Sequence, residues 1–175
     1  MKKYTTQLSS LKTAKIAGVK APHKPILLLS IIDLIERGMI ISNNIVLNEE
    51  LERVFSTNWD RYIGNTILFQ PKIATPFWHL QNEPFWKLVR QNGDIIDVSS
   101  AKPIYAVGSV RKQGIYAEID DKLFELLQSA EVRAKIRVLL ISTYLNNKPL
   151  QTTEIIPMIT LIGTVILPIC HATVS

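Results

Sequence analysis

The hydrophobic and polar positions of the first forty residues predict two helices. Apolar residues recur at helical spacing from Tyr4 onward, which predicts an amphipathic helix over residues 5–16 that stops at Gly18. A second helix is predicted to start at Pro25, a residue suited to the first helical position, and to end at Gly38. This second segment is apolar nearly all round, so we expect it to form the buried axis of the domain.

Two further helical patterns have start signals of their own. Asn48 is predicted to cap a helix that continues to Tyr62 and carries three glutamates in its first turn, where the helix dipole favours acidic side chains. Asp120 is predicted to cap a final helical region that ends at residues 146–147. A short strand is expected before the third helix, at residues 45–47.

In the middle of the chain, short apolar runs separated by turn residues predict a small antiparallel sheet. There PFWHL at residues 76–80 recurs as PFWKL at residues 84–88, and the repeat predicts a hairpin. Strand alternation places the Trp and Leu side chains on a core face. The opposite face would carry Phe77, His79 and Lys87 and would suit stacking on bases and contact with phosphates. The alternative is a hairpin that is buried on both faces.

The length and composition indicate one domain with an appendage. The chain has 175 residues, of which 47% are hydrophobic, and this is enough to bury a substantial core. The predicted fold class is α+β, with N-terminal helices, a small central antiparallel sheet and a C-terminal helix. We expect the domain to cover residues 1–150 and an apolar tail of unknown role to cover residues 151–175.

The tail contains no residue that is charged at neutral pH from Ile155 onward. Three interpretations are open: a buried β-rich segment, a tail unrelated to the fold, or a membrane segment. The density of Ile, Val and Thr favours the first. Pro157, Gly163 and Pro168 interrupt the run, so we do not expect a membrane partner.

The positive charge is concentrated at the N-terminal end. The first 32 residues contain six lysines and no Asp or Glu, whereas the other 14 basic and 15 acidic residues leave the rest of the chain at −1. The net charge of +5 therefore belongs to this segment. Such a basic end suits a polyanionic partner, and a solvated lysine face that aids solubility explains it equally well.

Several classes of protein are excluded by motifs that the sequence lacks. Cys170 is the only cysteine, so no intrachain disulfide or zinc ribbon can form, and a cytoplasmic location is expected. The three histidines lack metal-ligand spacing and no nucleotide-binding or nucleophile motif is present, so we expect no metal, cofactor or catalytic residue. A helix cap explains the adjacent Asp120 and Asp121 better than two-metal catalysis does.

The turn KAPHKP, at residues 20–25, is the strongest local candidate for binding an anion. It leads into a helix N-terminus, where free N–H groups and the positive end of the dipole favour a phosphate. The alternative is a proline-clamped turn with a purely structural role. A second basic pair lies in a predicted loop, which either contacts phosphate or is merely solvated. The candidates are Lys20, His23 and Lys24 in the turn, and Arg111 and Lys112 in the loop.

Three elements in combination resemble a known family. They are APHKPILLLSIIDLIERG at residues 21–38, the PFWHL and PFWKL pair, and YAEIDDKLFELL followed by VRAKIRVLLISTYL. Over about residues 11–145 the chain is similar to the N-terminal, sulfur-binding-like DNA-binding domain of HNH-type, type IV restriction endonucleases that recognise phosphorothioate-modified DNA.

The resemblance implies a module that binds duplex DNA and senses sulfur in place of a non-bridging phosphate oxygen. In that family a nonpolar cavity around a proline receives the sulfur, while basic residues hold the phosphates. Sulfur is larger and less strongly hydrated than oxygen, so apolar contact favours it, whereas cations bind both anions alike. The residues that match are Pro76 with its neighbours Thr75 and His79, the basic partners His23 and Lys24, and as further candidates Arg111 and Lys112.

Two departures from the family pattern bear on function. Thr75 stands where an aromatic residue is expected, which changes the shape of the implied cavity. No His–Asn–His arrangement follows Asn147, so we expect that this chain alone does not cut DNA. A truncated or shifted reading frame is one hypothesis for the apolar tail.

The first functional hypothesis is a DNA-binding module of a modification-dependent restriction endonuclease. A basic turn and a nonpolar, proline-lined cavity would read backbone phosphorothioate or phosphate, and the partner would be double-stranded DNA. The alternative is a protein-interaction module that docks a separate nuclease subunit through its aromatic hairpin and apolar tail.

Overall fold

The computed structural model describes residues 1–97 and 100–146, so the predicted tail at residues 151–175 lies outside the described residues. It contains seven α-helices and two small antiparallel sheets in these ranges, which confirms the predicted α+β fold class. None of the helices in these two ranges is long and apolar enough to cross a membrane. The helices are α1 (Lys2–Ser9), α2 (His23–Glu36), α3 (Glu49–Tyr62), α4 (Ala74–His79), α5 (Val107–Lys112), α6 (Asp121–Leu127) and α7 (Ala130–Leu140), which continues as a π-helical turn (Ile141–Leu145).

The strands form two small antiparallel sheets. In the larger one the order is β3 (Asn44–Val46), β5 (Tyr116–Ile119) and β4 (Trp86–Val89), so β5 is central. Its Ala117 lies opposite Ile45 on one side and Leu88 on the other, and all three side chains are fully buried. The smaller sheet is a hairpin of β1 (Lys15–Ile16) and β2 (Val19–Lys20) near the N-terminus.

Helix α2 is the buried axis of the domain, as its apolar sequence predicts. Eleven of its fourteen residues are buried, and it packs against α3, α4 and α7. A helix that is buried on nearly all sides has no continuous polar face toward solvent. Its first residues, His23 and Lys24, are fixed in position by the packing of the whole element.

The two predicted helix caps are confirmed. The side chain of Asn48 accepts a hydrogen bond from the Leu51 backbone N–H at 2.9 Å. Asp120 accepts from the backbone N–H groups of Lys122 and Leu123 at 3.1 and 3.3 Å, and it also accepts from the Tyr4 hydroxyl. Both caps satisfy N–H groups that a helix start leaves free.

The predicted first helix is wrong at its C-terminal end. Helix α1 ends at Ser9, residues 10–14 form neither helix nor strand, and residues 15–16 form strand β1 of the hairpin. Ala17 and Gly18 both have positive φ, 49° and 80°, and form a two-residue turn of the kind that joins tightly twisted strands. Gly18 is therefore a hairpin turn residue and not a helix stop.

The predicted PFWHL–PFWKL hairpin is also wrong. The first copy lies in helix α4 and only the second forms a strand, β4. Pro76 fits because it stands in the first turn of α4, where its missing N–H removes no helical hydrogen bond. Phe77, predicted on the exposed face, is fully buried and meets the Trp86 ring edge-on at 5.5 Å between centroids.

The prediction that Arg111 and Lys112 lie in a loop is wrong as well, because both belong to helix α5. IYAV at residues 104–107 is one of the short apolar runs that predicted the sheet; it forms no strand, and its last residue begins this helix. Val110 in α5 is fully buried, so packing of this short amphipathic segment outweighs the strand propensity of its β-branched and aromatic residues.

Candidate nucleic-acid interface

A cavity of about 360 Å³ opens where three elements meet: the N-terminus of α2, the N-terminus of α4 and the segment that leads into the β1–β2 hairpin. Most of its wall is apolar. Five of the eight residues that the sequence analysis singled out line it together. They are His23, Lys24, Thr75, Pro76 and His79.

The apolar part of the wall comes from several separate segments. Pro76 contributes its ring from the first turn of α4, Ile16 and Ala21 contribute from the hairpin region, and Phe69 closes the side nearest His23. Thr75 also lines the cavity, and its hydroxyl has no hydrogen-bond partner within residues 1–97 and 100–146. The cavity thus combines a nonpolar surface with a free hydroxyl at its wall.

His23 is held in a fixed orientation by its surroundings. Its Nε2 lies 2.7 Å from the carbonyl oxygen of Gln70, and because a carbonyl only accepts, Nε2 carries the hydrogen. Its ring packs against Trp59 at 4.8 Å between centroids and edge-on against Phe69. Burial lowers the pKa of His23, and the nearby Lys72 charge lowers it further, so the neutral imidazole is favoured and leaves Nδ1 unprotonated.

His79 lies at the C-terminal end of α4 on the opposite wall. Burial lowers its pKa, and the Lys24 charge lowers it further. Its Nε2 is 3.4 Å from the hydroxyl of Tyr105, and the two rings are 5.8 Å apart. Tyr105 is 56% exposed, so it presents an aromatic face to solvent directly beside the cavity.

Lys24 is not the open cation that its place in the turn suggests. Its Nζ is buried and lies 2.6 Å from Oε1 of Glu83, the residue that follows the 3₁₀ turn after α4. The same carboxylate oxygen accepts a hydrogen bond from the Lys12 backbone N–H at 2.9 Å. Desolvation lowers the pKa of Lys24, and the contact with Glu83 opposes that effect. The pair ties α2 to the segment before the hairpin and offsets the charge of Lys24.

The other three candidates lie outside this cavity. Lys20 is on β2, where its Nζ lies 5.0 Å from the centroid of the Tyr144 ring. Arg111 donates from Nε to the Leu47 carbonyl at 2.8 Å and from Nη2 to Glu52, so its charge is used within the fold. Lys112 is exposed on α5 and does not line the cavity.

Comparison with known proteins identifies the family. Residues 64–161 match the model of the ScoMcrA-like DNA sulfur-binding domain. The chain belongs to this family. No curated protein matches the sequence. The match covers α4 and β4, and the β1–β2 hairpin and α2 precede it.

Solved structures of sulfur-binding domains share the fold. The sulfur-binding domain of SprMcrA, complexed with phosphorothioated DNA, matches with a TM-score of 0.62 and 18% identity over 84% of this chain and 86% of that chain. The corresponding domain of ScoMcrA, also complexed with phosphorothioated DNA, matches with a TM-score of 0.62 and 19% identity over 90% of this chain and 97% of that chain. A longer ScoMcrA chain, which contains the sulfur-binding domain and an SRA domain, matches with a TM-score of 0.60 and 19% identity over 81% of this chain and 42% of that chain.

Four residues at the cavity around Pro76 were not predicted from the sequence. Lys12 and Phe69 line it, Tyr105 stands beside it, and Glu83 neutralises Lys24. Lys12 lies within the acid-free N-terminal window, which was a usable signal. The other three reach the cavity only through tertiary folding, and no local pattern marks them.

Proposed function

We propose that this protein binds duplex DNA and recognises a phosphorothioate in its backbone with the cavity around Pro76. The observation that carries the proposal is the meeting of a largely apolar cavity with two histidines and a free hydroxyl at one place. The family match and the DNA complexes of SprMcrA and ScoMcrA with the same fold support it.

The wall can favour sulfur over oxygen by desolvation alone. A non-bridging oxygen that enters an apolar cavity loses strong hydration, whereas sulfur loses little and gains contact with the Pro76 ring. Burial of about 40 Å² of sulfur surface at about 25 cal/mol per Å² gives about 1 kcal/mol, or about a fivefold preference. Thr75 and the histidines then act on the remaining oxygens of the same phosphate.

The Lys24–Glu83 pair adds little net charge to the cavity, so the selection of sulfur depends on the apolar wall. An unpaired ammonium at that point would attract phosphate and phosphorothioate alike, so it would raise both affinities without changing their ratio. General attraction to DNA comes from exposed lysines, such as Lys12 in the cavity lining and the lysines of the hairpin.

The proposal is tested by measuring binding to two 12-base-pair duplexes that differ only in one phosphorothioate. Fluorescence anisotropy across a salt series is expected to show about fivefold or greater preference for the modified duplex, with similar salt slopes for both. The slopes should match because the phosphate contacts are shared. Equal affinities at every salt concentration would remove the sulfur claim, and no binding to either would remove the DNA-binding function.

DNA affinity should also rise as the pH falls. His23 and His79 have pKa values lowered by burial, so both are mainly neutral in the free protein. A bound anion favours their protonated forms and raises those pKa values, so affinity should increase about tenfold as the pH is lowered from about 8 to about 5.5. His79→Gln should flatten the profile, and a profile unchanged by both His79→Gln and His23→Gln would contradict the role of the histidines.

We further propose that the module serves a modification-dependent restriction system in the cytoplasm, as the N-terminal reader of an HNH nuclease that makes the cut. The resemblance to such enzymes and membership of a McrA-like family support this role. Sequencing the encoding locus downstream tests it. A nuclease-like His–Asn–His arrangement in some frame is expected, and its absence from every frame would contradict the proposal.

A further inference from the structure

A second cavity lies beside the β1–β2 hairpin, and its lining is mainly polar. It has a volume of about 270 Å³ and is formed by the hairpin and the π-helical turn after α7. Among the described residues its lining includes two ammonium groups, two aliphatic hydroxyl groups, the Tyr144 side chain and one carboxamide, and no acidic side chain. Besides Tyr144, the polar members are Lys15, Lys20, Ser142, Thr143 and Asn146.

The positions of the two lysines destabilise the hairpin. Lys15 and Lys20 are directly opposite each other in the antiparallel register. Like charges at such a position repel and destabilise the pair of strands. Within residues 1–97 and 100–146 neither lysine has an acidic partner, so nothing in these ranges compensates the repulsion. An anion bound between the two lysines would compensate their repulsion.

Lys20 is also oriented in advance. Its ammonium lies over the ring of Tyr144, and the hydroxyl of Tyr144 is fixed by two backbone groups. The Leu11 N–H donates to this hydroxyl at 2.8 Å, and the hydroxyl donates to the Leu8 carbonyl at 3.0 Å. Burial raises the pKa of Tyr144, so the hydroxyl keeps its proton. Tyr144, which is buried and makes two hydrogen bonds through its hydroxyl, thus supports Lys20 at the cavity.

The remaining donors complete a set suited to a phosphate. Thr143 and Asn146 have no side-chain partner within residues 1–97 and 100–146, whereas the Ser142 hydroxyl donates to the Leu139 carbonyl at 3.2 Å. Two cations, a free hydroxyl and a carboxamide can together hold the two non-bridging oxygens of one phosphodiester. Neutral ligands would leave the lysine pair uncompensated.

We propose that this hairpin cavity binds a second phosphate of the same DNA, and that the hairpin is a clamp between two backbone positions. The inference rests on the proposed function, because the first position is the phosphorothioate. Ile16 of the hairpin lines the sulfur cavity, and its neighbour Lys15 lines the hairpin cavity. A two-stranded hairpin is about 10 Å wide, and phosphates repeat about every 3.4 Å along one strand's axis, so the second phosphate lies about one to three nucleotides from the sulfur.

The test is a scan in which one phosphate at a time is replaced by an uncharged methylphosphonate, with wild-type protein and the Lys15→Ala/Lys20→Ala variant. At one position the replacement should weaken wild-type binding about tenfold at low salt and should not affect the variant further. The variant's salt slope should be shallower by about one. Lys2→Ala/Lys122→Ala, which removes two exposed charges elsewhere, is the matched control and should keep the full penalty at that position.

The outcomes separate this inference from the function on which it rests. Absence of sulfur preference in wild-type protein would contradict the proposed function, whereas a shallower salt slope of Lys15→Ala/Lys20→Ala on unmodified duplex would still show the second phosphate contact. Two results would overturn the clamp. One is sulfur preference without any position at which the methylphosphonate weakens wild-type binding more than binding by Lys15→Ala/Lys20→Ala. The other is loss of the penalty at that position in the control variant as well. Misfolding is excluded by thermal melting, because removal of the repelling pair should leave the melting temperature unchanged or raise it.

Discussion

Glu83→Ala is expected to lower the free energy of unfolding by about 3–5 kcal/mol. The substitution leaves the buried Lys24 ammonium without its counterion and the Lys12 N–H without its acceptor. A buried charge that loses its partner bears its full desolvation penalty. Urea denaturation followed by tryptophan fluorescence measures the change, since the domain contains three tryptophans.

A double variant separates charge from packing at the same site. Lys24→Met with Glu83→Leu removes both charges and fills the space with apolar groups, so it should recover the part of the stability that Glu83→Ala loses through the unpaired charge. The Lys12 N–H stays without its acceptor in both variants. If Glu83→Ala unfolds at the same urea concentration as wild type, the pair does not hold this part of the fold together. The double variant should also retain sulfur preference, because the Pro76 ring and its apolar neighbours are unchanged.

Pro76→Ala is expected to reduce the preference for phosphorothioate over phosphate about fivefold and to leave affinity for unmodified DNA nearly unchanged. The ring supplies apolar contact that only sulfur exploits, whereas cationic contacts act on both anions. Alanine is a good helix former and restores a backbone N–H in the first turn of α4, so the fold should be kept.

The control for this variant is Pro103→Ala, at an exposed proline that does not line the cavity. It should bind both duplexes as wild type does. Anisotropy titrations of the two duplexes give the ratio directly. Equal loss of affinity for modified and unmodified DNA in Pro76→Ala would mean that the ring positions the helix and does not select sulfur.

The fold was predictable where local chemistry decides it. The caps Asn48 and Asp120 and the apolar run of α2 follow from side chains close in sequence, and the structure confirms all three. The two copies PFWHL and PFWKL take different structures because their neighbours differ: the first packs as a helix on α2 and the second pairs with β5. Local propensity does not distinguish these outcomes.

The sequence predicted part of the lining of the cavity around Pro76 but not the roles of the residues in it. The turn and the proline motif named five residues that line one cavity. The state of Lys24 depends on Glu83, 59 residues away, and the orientation of His23 depends on the Gln70 carbonyl, 47 residues away. Contacts across such separations arise only when α2, α4 and the loop between α3 and α4 pack together.

The central claim is that one fixed cavity receives the sulfur, and the stereochemistry of phosphorus tests this most directly. A phosphorothioate has two diastereomers, which point the sulfur to opposite sides of the backbone. Because Pro76 lies on one side only, competition binding with stereodefined duplexes should show one diastereomer bound about fivefold or more tightly than both the other and the unmodified duplex. Equal binding of the two diastereomers would contradict the account.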